Sequence, residues 1–216
     1  AAGLARWAAA LMAGREPYAG LLDQLTAPRQ FADGSESLYR LGLVAAQLGG
    51  TRVIGHGGSL TGYRNHMLMA PEQGVGVVVL TNREEDALWP ALRVLAALTG
   101  EALPDDPERV PTGLYATEDG PFWAEFAGGA ISFMGGYEKL VADGEGGMRS
   151  LPAYLDIRLK TEVDGALAGR IGGVARRLLP VPTEMALDER LVGRWRDSRL
   201  GVEITIRADG TASWPW

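Results

Sequence analysis

The sequence predicts an α+β unit, helices packed on an antiparallel sheet, followed by small all-β barrel domains. Three observations carry that expectation. The first hundred residues alternate between helical and strand periodicity, a stretch rich in proline and charge then interrupts the pattern, and no helical stripe appears beyond it.

Leu4, Trp7, Ala8, Leu11 and Met12 recur at helical spacing, and Gly14 follows as a stop. Pro17 is suited to open a second helix with Tyr18, Leu21, Leu22 and Leu25 on one face and Pro28 just past its end. Strand-like runs come next at 38–46, 51–56, 63–69 and 75–81, separated by the connections Gly49-Gly50, Gly57-Gly58 and Glu72-Gln73-Gly74. That order reads as an antiparallel meander. A third helix is expected over 88–98, with Leu88, Leu92, Leu95 and Leu98 as its stripe, Pro90 in its first turn and Gly100 at its end.

Residues 103–111 hold three prolines among acidic residues and form the expected boundary of a first domain, 1–103. Short strands are then predicted at 113–116, 122–126, 130–133, 138–141, 154–160 and 165–171, giving a barrel or sandwich over 113–182 that closes at Pro180-Val181-Pro182. After it, Val202, Ile204 and Ile206 alternate with polar residues and Asp209-Gly210 turns the chain back, which reads as the start of a second barrel over 188–216. Trp123, Trp195, Trp214 and Trp216 are expected to pack in these cores, and Arg176-Arg177 to be a solvated or sheet-edge pair. The first helical stripe has no capping residue before it, and the last hairpin has no full return strand. The chain therefore reads as an internal fragment of a longer protein.

Composition narrows the function. Lys and Arg number 21 against 27 Asp and Glu, a net charge of -6, which provides no basic face for nucleic acid and nothing to attract anionic lipid. There is no cysteine and there are only two histidines, so neither a disulfide framework nor a Cys/His metal site is predicted, and no cofactor is expected. No apolar run approaches the ~18 residues of a membrane helix, and no charged-then-apolar leader opens the sequence, so a cytoplasmic location is the expectation. A homodimer is left open as an assembly.

The chemically suggestive stretch is Gly55-His56-Gly57-Gly58-Ser59-Leu60-Thr61-Gly62-Tyr63. A strand that ends on a histidine and continues into two glycines lets a ligand approach bare backbone N–H groups beside an ionisable ring. Such N–H groups can polarise a carbonyl as an oxyanion hole. The same residues would also suit a Gly-rich hairpin with a hydrogen-bonded histidine. His66 reads as a strand histidine satisfied by its neighbours, and Asn82 as a turn or helix cap.

His56-Gly57-Gly58-Ser59, with Tyr63 four residues on, a strand ending at Pro71, and Gly76-Val-Val-Val-Leu-Thr-Asn82, resembles the third motif of the penicillin-recognising serine hydrolases. Class C β-lactamases and DD-peptidases have Lys-Thr-Gly there; a His-x-Gly form is typical of D-aminopeptidases and β-lactamase-related esterases. Leu25-Thr-Ala-Pro28 and Tyr39-Arg-Leu-Gly42-Leu43 resemble upstream family landmarks, and Gly193-Arg-Trp195 resembles the opening of the second barrel of a D-aminopeptidase. The resemblance implies a β-lactamase-like fold for 1–103 and a small peptide, amide or ester as substrate. It implies that His56 is catalytic, that Ser59 supplies an oxyanion-hole N–H, and that Gly57 and Gly58 leave room for the substrate backbone. A histidine where the family has lysine is only conditionally charged, since an imidazole titrates near ~6.5, and this favours amine-terminated or neutral substrates over carboxylates.

Two departures matter. The family's Ser-x-x-Lys occurs nowhere in the 216 residues, and Tyr63-Arg64-Asn65, which spells its Tyr-x-Asn, follows the histidine instead of preceding it and is set aside. The expectation is thus a piece of a serine D-aminopeptidase, inactive by itself. The alternatives are a related esterase or amidase, or a non-catalytic module whose barrel holds a small apolar ligand as lipocalins do.

Overall fold

The computed structural model describes residues 2–83, 86–118, 122–133, 136–182 and 187–214. The expected meander forms, as a four-stranded antiparallel sheet of β3 (Val44–Leu48), β4 (Thr51–Leu60), β5 (Tyr63–Ala70) and β6 (Val75–Thr81), in that order. Helix α1 (Ala2–Ala13) lies on one face. Its Ala8 and Leu11 pack with Ile54, Met67 and Met69, joined by Tyr18, Leu21 and Leu25. Helix α3 (Leu88–Thr99) covers the other face, where Ala91, Leu92, Leu95 and Ala96 meet Val53, Leu68 and Val77. Each large apolar side chain buried this way contributes ~1.5–3 kcal/mol.

Several local expectations are corrected. Pro17 does not open a helix: it sits in a turn where Tyr18 N–H donates to Arg15 C=O, and α2 runs only from Leu21 to Thr26 after Gly20. A two-residue pair, β1 (Arg29–Gln30) with β2 (Glu36–Ser37), precedes the sheet. The run at 38–46 is a strand only from Val44; before it the chain turns, held by an isolated bridge between Tyr39 and Val44. In α3 the expected stripe residue Leu98 is exposed, and Ala91 and Ala96 take core places. Asp86, not Asn82, caps this helix, its carboxylate accepting from the N–H groups of Leu88 and Trp89 at 2.8 and 2.9 Å.

Beyond the proline-rich stretch, eight antiparallel strands close into a barrel. They are β7 (Gly113–Ala116), β8 (Trp123–Ala127), β9 (Ala130–Phe133), β10 (Gly136–Ala142), β11 (Met148–Ser150), β12 (Arg158–Thr161), β13 (Leu167–Ile171) and β14 (Val174–Pro180). Strand β14 returns to β7 through Leu179↔Ala116 and Pro180↔Tyr115, which removes the sheet edges. Two of these strands, β11 and β14, were not expected, and the predicted strand at 154–160 is instead a 3-10 turn, Ala153–Leu155, leading into β12. Phe126, Ile131, Leu140, Met148, Leu159, Leu167 and Leu178 fill the interior. An eight-stranded barrel is just wide enough for such a filling. The lipocalin-like alternative meets a packed core there, not a ligand cavity.

Residues Ala1–Val181 form one compact unit. Val141 and Leu151 of the barrel region share the core of α3, and Lys139 lies 4.6 Å over the ring of Trp89 while pairing with Asp106. The stretch at 103–111 thus joins two systems that share a core. Pro182–Trp216 is a second unit, a three-stranded sheet of β15 (Gly193–Asp197), β16 (Val202–Ile206) and β17 (Ala212–Ser213). The tryptophan expectation is corrected: Trp123, Trp195 and Trp214 are half exposed, because each lies on a strand face or end that no core covers; Trp216 is outside the described residues. Arg177 pairs with Glu162 and Asp164 as a surface group, whereas Arg176 stacks over Phe122 at 3.8 Å.

Candidate active site

Strand β4 does not stop at His56, as the glycines suggested. It continues through Gly57, Gly58 and Ser59 to Leu60, paired with β5 from Ile54 onward, and the hairpin turns at Thr61-Gly62, where Gly62 takes φ 78°. The other edge is different. Strand β3 pairs only with residues 51–55, the last pair being Val44↔Gly55. Among the described residues no strand covers residues 56–60 on that side.

Strand alternation sorts the four expected residues. His56 and Gly58 lie on the face of Ile54, whereas Gly57 and Ser59 lie on the face of Val53. Their side-chain directions therefore diverge, and what they share is the open edge. All four line one cleft of about 1900 Å³, together with Tyr39, Asn65, His66 and Asp86, and with Tyr137, Glu138 and Tyr154 from the barrel.

The glycines are occupied from across the ribbon. A Cβ at Gly57 would stand 2.8 Å from His66 Nδ1, and one at Gly58 would stand 2.5 Å from Asn65 Nδ2. Their bareness lets these two β5 side chains lie over β4. Asn65, set aside as a stray motif match, is thus part of the cleft wall. Burial pushes His66 down from its usual 6.5 to about 4, helped by the field of His56 and opposed by Asp86, so its imidazole is neutral at physiological pH. Glu138 moves the other way. Burial and the neighbouring Asp86 raise it from 4.5 to about 7, against the pull of Arg64.

Tyr39 Oη and His56 Nε2 share a hydrogen bond at 2.6 Å, with the two rings edge to face. Tyr154 then packs edge-on against Tyr39 at 6.0 Å between ring centroids. Sequence reasoning placed Tyr39 in a motif but gave it no role, and it did not single out Glu138 or Tyr154. No local periodicity links residues this far apart; only the fold does.

Residues 1–101 match the family model described as Beta-lactamase. A D-aminopeptidase from Gluconobacter oxydans is 37% identical over 106 residues, 48% of this chain and 20% of that protein. A D-aminopeptidase from Brucella ovis is 36% identical over 81 residues, 38% of this chain and 16% of that protein. The chain thus spans about a fifth or less of the length of these curated relatives. Among solved structures, the octameric penicillin-binding protein homologue from Pyrococcus abyssi is similar at 18% identity with a TM-score of 0.42, over 91% of this chain and 41% of that one. Residues 1–101 are thus similar to the Beta-lactamase family, and curated D-aminopeptidases are similar to parts of this chain.

Proposed function

We propose that the chain is part of a serine hydrolase that releases N-terminal D-amino acids through an acyl-enzyme intermediate. The observation that carries this reading is the open edge of β4 at residues 56–60, lying along the cleft in the segment that matches the Beta-lactamase family model. A substrate backbone can add to that edge as an extra strand, with its scissile carbonyl near Ser59 N–H. In this reading a serine outside these 216 residues attacks the carbonyl, the amine leaves, and water releases the acid. His56 supplies polar contact to the reacting groups, and Gly57 and Gly58, with no side chains of their own, leave room for the substrate backbone along the edge.

The experiment uses a longer protein that contains this chain together with Ser-x-x-Lys and Tyr-x-Asn motifs. D-alanine p-nitroanilide should be hydrolysed well ahead of its L-isomer, p-nitrophenyl acetate and nitrocefin, and the isolated 216 residues should hydrolyse none of them. Preference for the acetate ester would transfer the reading to a β-lactamase-related esterase. Turnover by the isolated chain would mean that a nucleophile within it has gone unrecognised.

A further inference from the structure

The contact that the family resemblance does not account for is the one between His56 and Tyr39. The phenol oxygen stands 2.6 Å from Nε2, and the rings meet at 81° with centroids 5.5 Å apart. Tyr39 is fixed from behind. Its backbone bridges to Val44, its carbonyl accepts from Ser37 Oγ at 2.8 Å, and Arg40 N–H donates to Leu43 C=O at 2.7 Å. Its ring is met by Tyr154, on the 3-10 turn of the barrel region, at an interplanar angle of 74°. Three rings therefore run in series from the barrel to the sheet.

An imidazole has two nitrogens, and the hydrogen bond at one decides where the proton sits on the other. A phenol, with its ordinary value near ~10, is a far stronger acid than a neutral imidazole N–H, so the favoured pair is O–H donating to a bare nitrogen. We propose that Tyr39, braced by Tyr154, is a positioning residue that donates to His56 Nε2, holds the ring as its Nδ1–H tautomer, and so leaves His56 to offer the cleft a proton donor in place of a base. Burial and the field of Glu138 push the Tyr154 phenol up, which keeps this brace a neutral ring. The proposal deepens the hydrolase reading and rests on it for its catalytic meaning, but its test needs no turnover.

The chain has only two histidines, so its imidazole nitrogens can be read one by one. Long-range proton–nitrogen spectra of the 216-residue chain, labelled on histidine, are recorded at about pH 8, above the ordinary imidazole range; His66→Gln assigns the signals. Native His56 should be predominantly Nδ1–H. Tyr39→Phe, which keeps the ring and loses the hydroxyl, should release it to a tautomer mixture, a several-fold change in ratio, while His66 stays put. Tyr154→Ala should move His56 part of the way, and Tyr154→Phe should leave it native. A native His56 protonated at Nε2, or a ratio unchanged in Tyr39→Phe, overturns the proposal. No response to Tyr154→Ala overturns the barrel's part in it. Failure of a longer protein to hydrolyse D-aminoacyl substrates would sink the hydrolase reading and leave these spectra as they are.

Discussion

The two halves of β4 are built from similar residues in opposite surroundings. Residues 51–55 pair with β3, Ile54 and Gly55 pair with β5 as well, and Thr51, Val53, Ile54 and Gly55 are all buried. Residues 56–60 keep β5 but lose the other neighbour, and exposure rises steadily to Ser59 and Leu60. Both halves contain glycine, for different reasons. At Gly55 a Cβ would stand 2.2 Å from the backbone oxygen of Met67, whereas at Gly58 it would meet only the end of the Asn65 side chain. The contrast explains how an open edge can be stiff: its backbone continues a segment clamped in the core, which is what a precise binding site needs.

The two halves should differ most in stability. Gly55→Ala presses on the Met67 backbone oxygen as well as on Leu68 Cδ2, so the backbone of the central ribbon must shift, an overpacking cost of about 3 kcal/mol. Urea unfolding of the 216-residue chain should show a clearly lowered midpoint. A midpoint within error of the native one would mean that the first half of β4 is as forgiving as the second.

The next effect is on chemistry. In a longer, active protein, His56→Ala should lower the acylation rate ~10²-fold or more, in the range of a general acid–base contribution, with the unfolding midpoint unmoved. Unchanged single-turnover kinetics would return His56 to a purely structural role. Gly58→Val follows, with an expected activity loss of about tenfold and little change in stability, because Asn65 can swing away from the new side chain while the substrate edge is obstructed. If the variant unfolds and its folded fraction works normally, Gly58 serves the ribbon and not the substrate.

Much of this was legible in the sequence where a pattern is local. The stripe of α1, the meander of β4 to β6 and the position of α3 all follow from periodicity and punctuation. The misses have physical reasons. Strand β14 carries Arg176 and Arg177 between apolar residues, so it shows no alternation, and β11 is three residues long, between Gly146-Gly147 and Leu151-Pro152. The glycines after His56 looked like a turn because their reason lies across the ribbon, in His66 and Asn65. The cleft's barrel wall, Glu138 and Tyr154, comes from residues some eighty to a hundred positions downstream of His56, where no sequence window reaches.

The smallest expected effect concerns the cleft-facing side of the comparison, through two groups whose protonation changes on folding. The unfolded chain releases the Glu138 proton near 4.5, while the folded chain holds it to about 7. Between those values the folded state binds more protons, so this group makes stability fall as pH rises, and the fall is complete above about 7. His66 acts in the opposite sense. It takes up a proton near 6.5 when unfolded and only near about 4 when folded, so the unfolded state binds more protons between them and stability rises with pH. The two slopes oppose each other over the shared window and largely cancel. Removing one should expose the other. Glu138→Gln should leave a chain whose stability rises across that window relative to native, and His66→Gln one whose stability falls. Each difference should be about 1–2 kcal/mol once solvent screening at half-buried sites is allowed for. Urea midpoints measured at intervals from pH 4 to 8 for native and variant chains read it directly. If both differences are flat, neither side chain changes its protonation on folding, and the cleft wall is as wet as the outer surface.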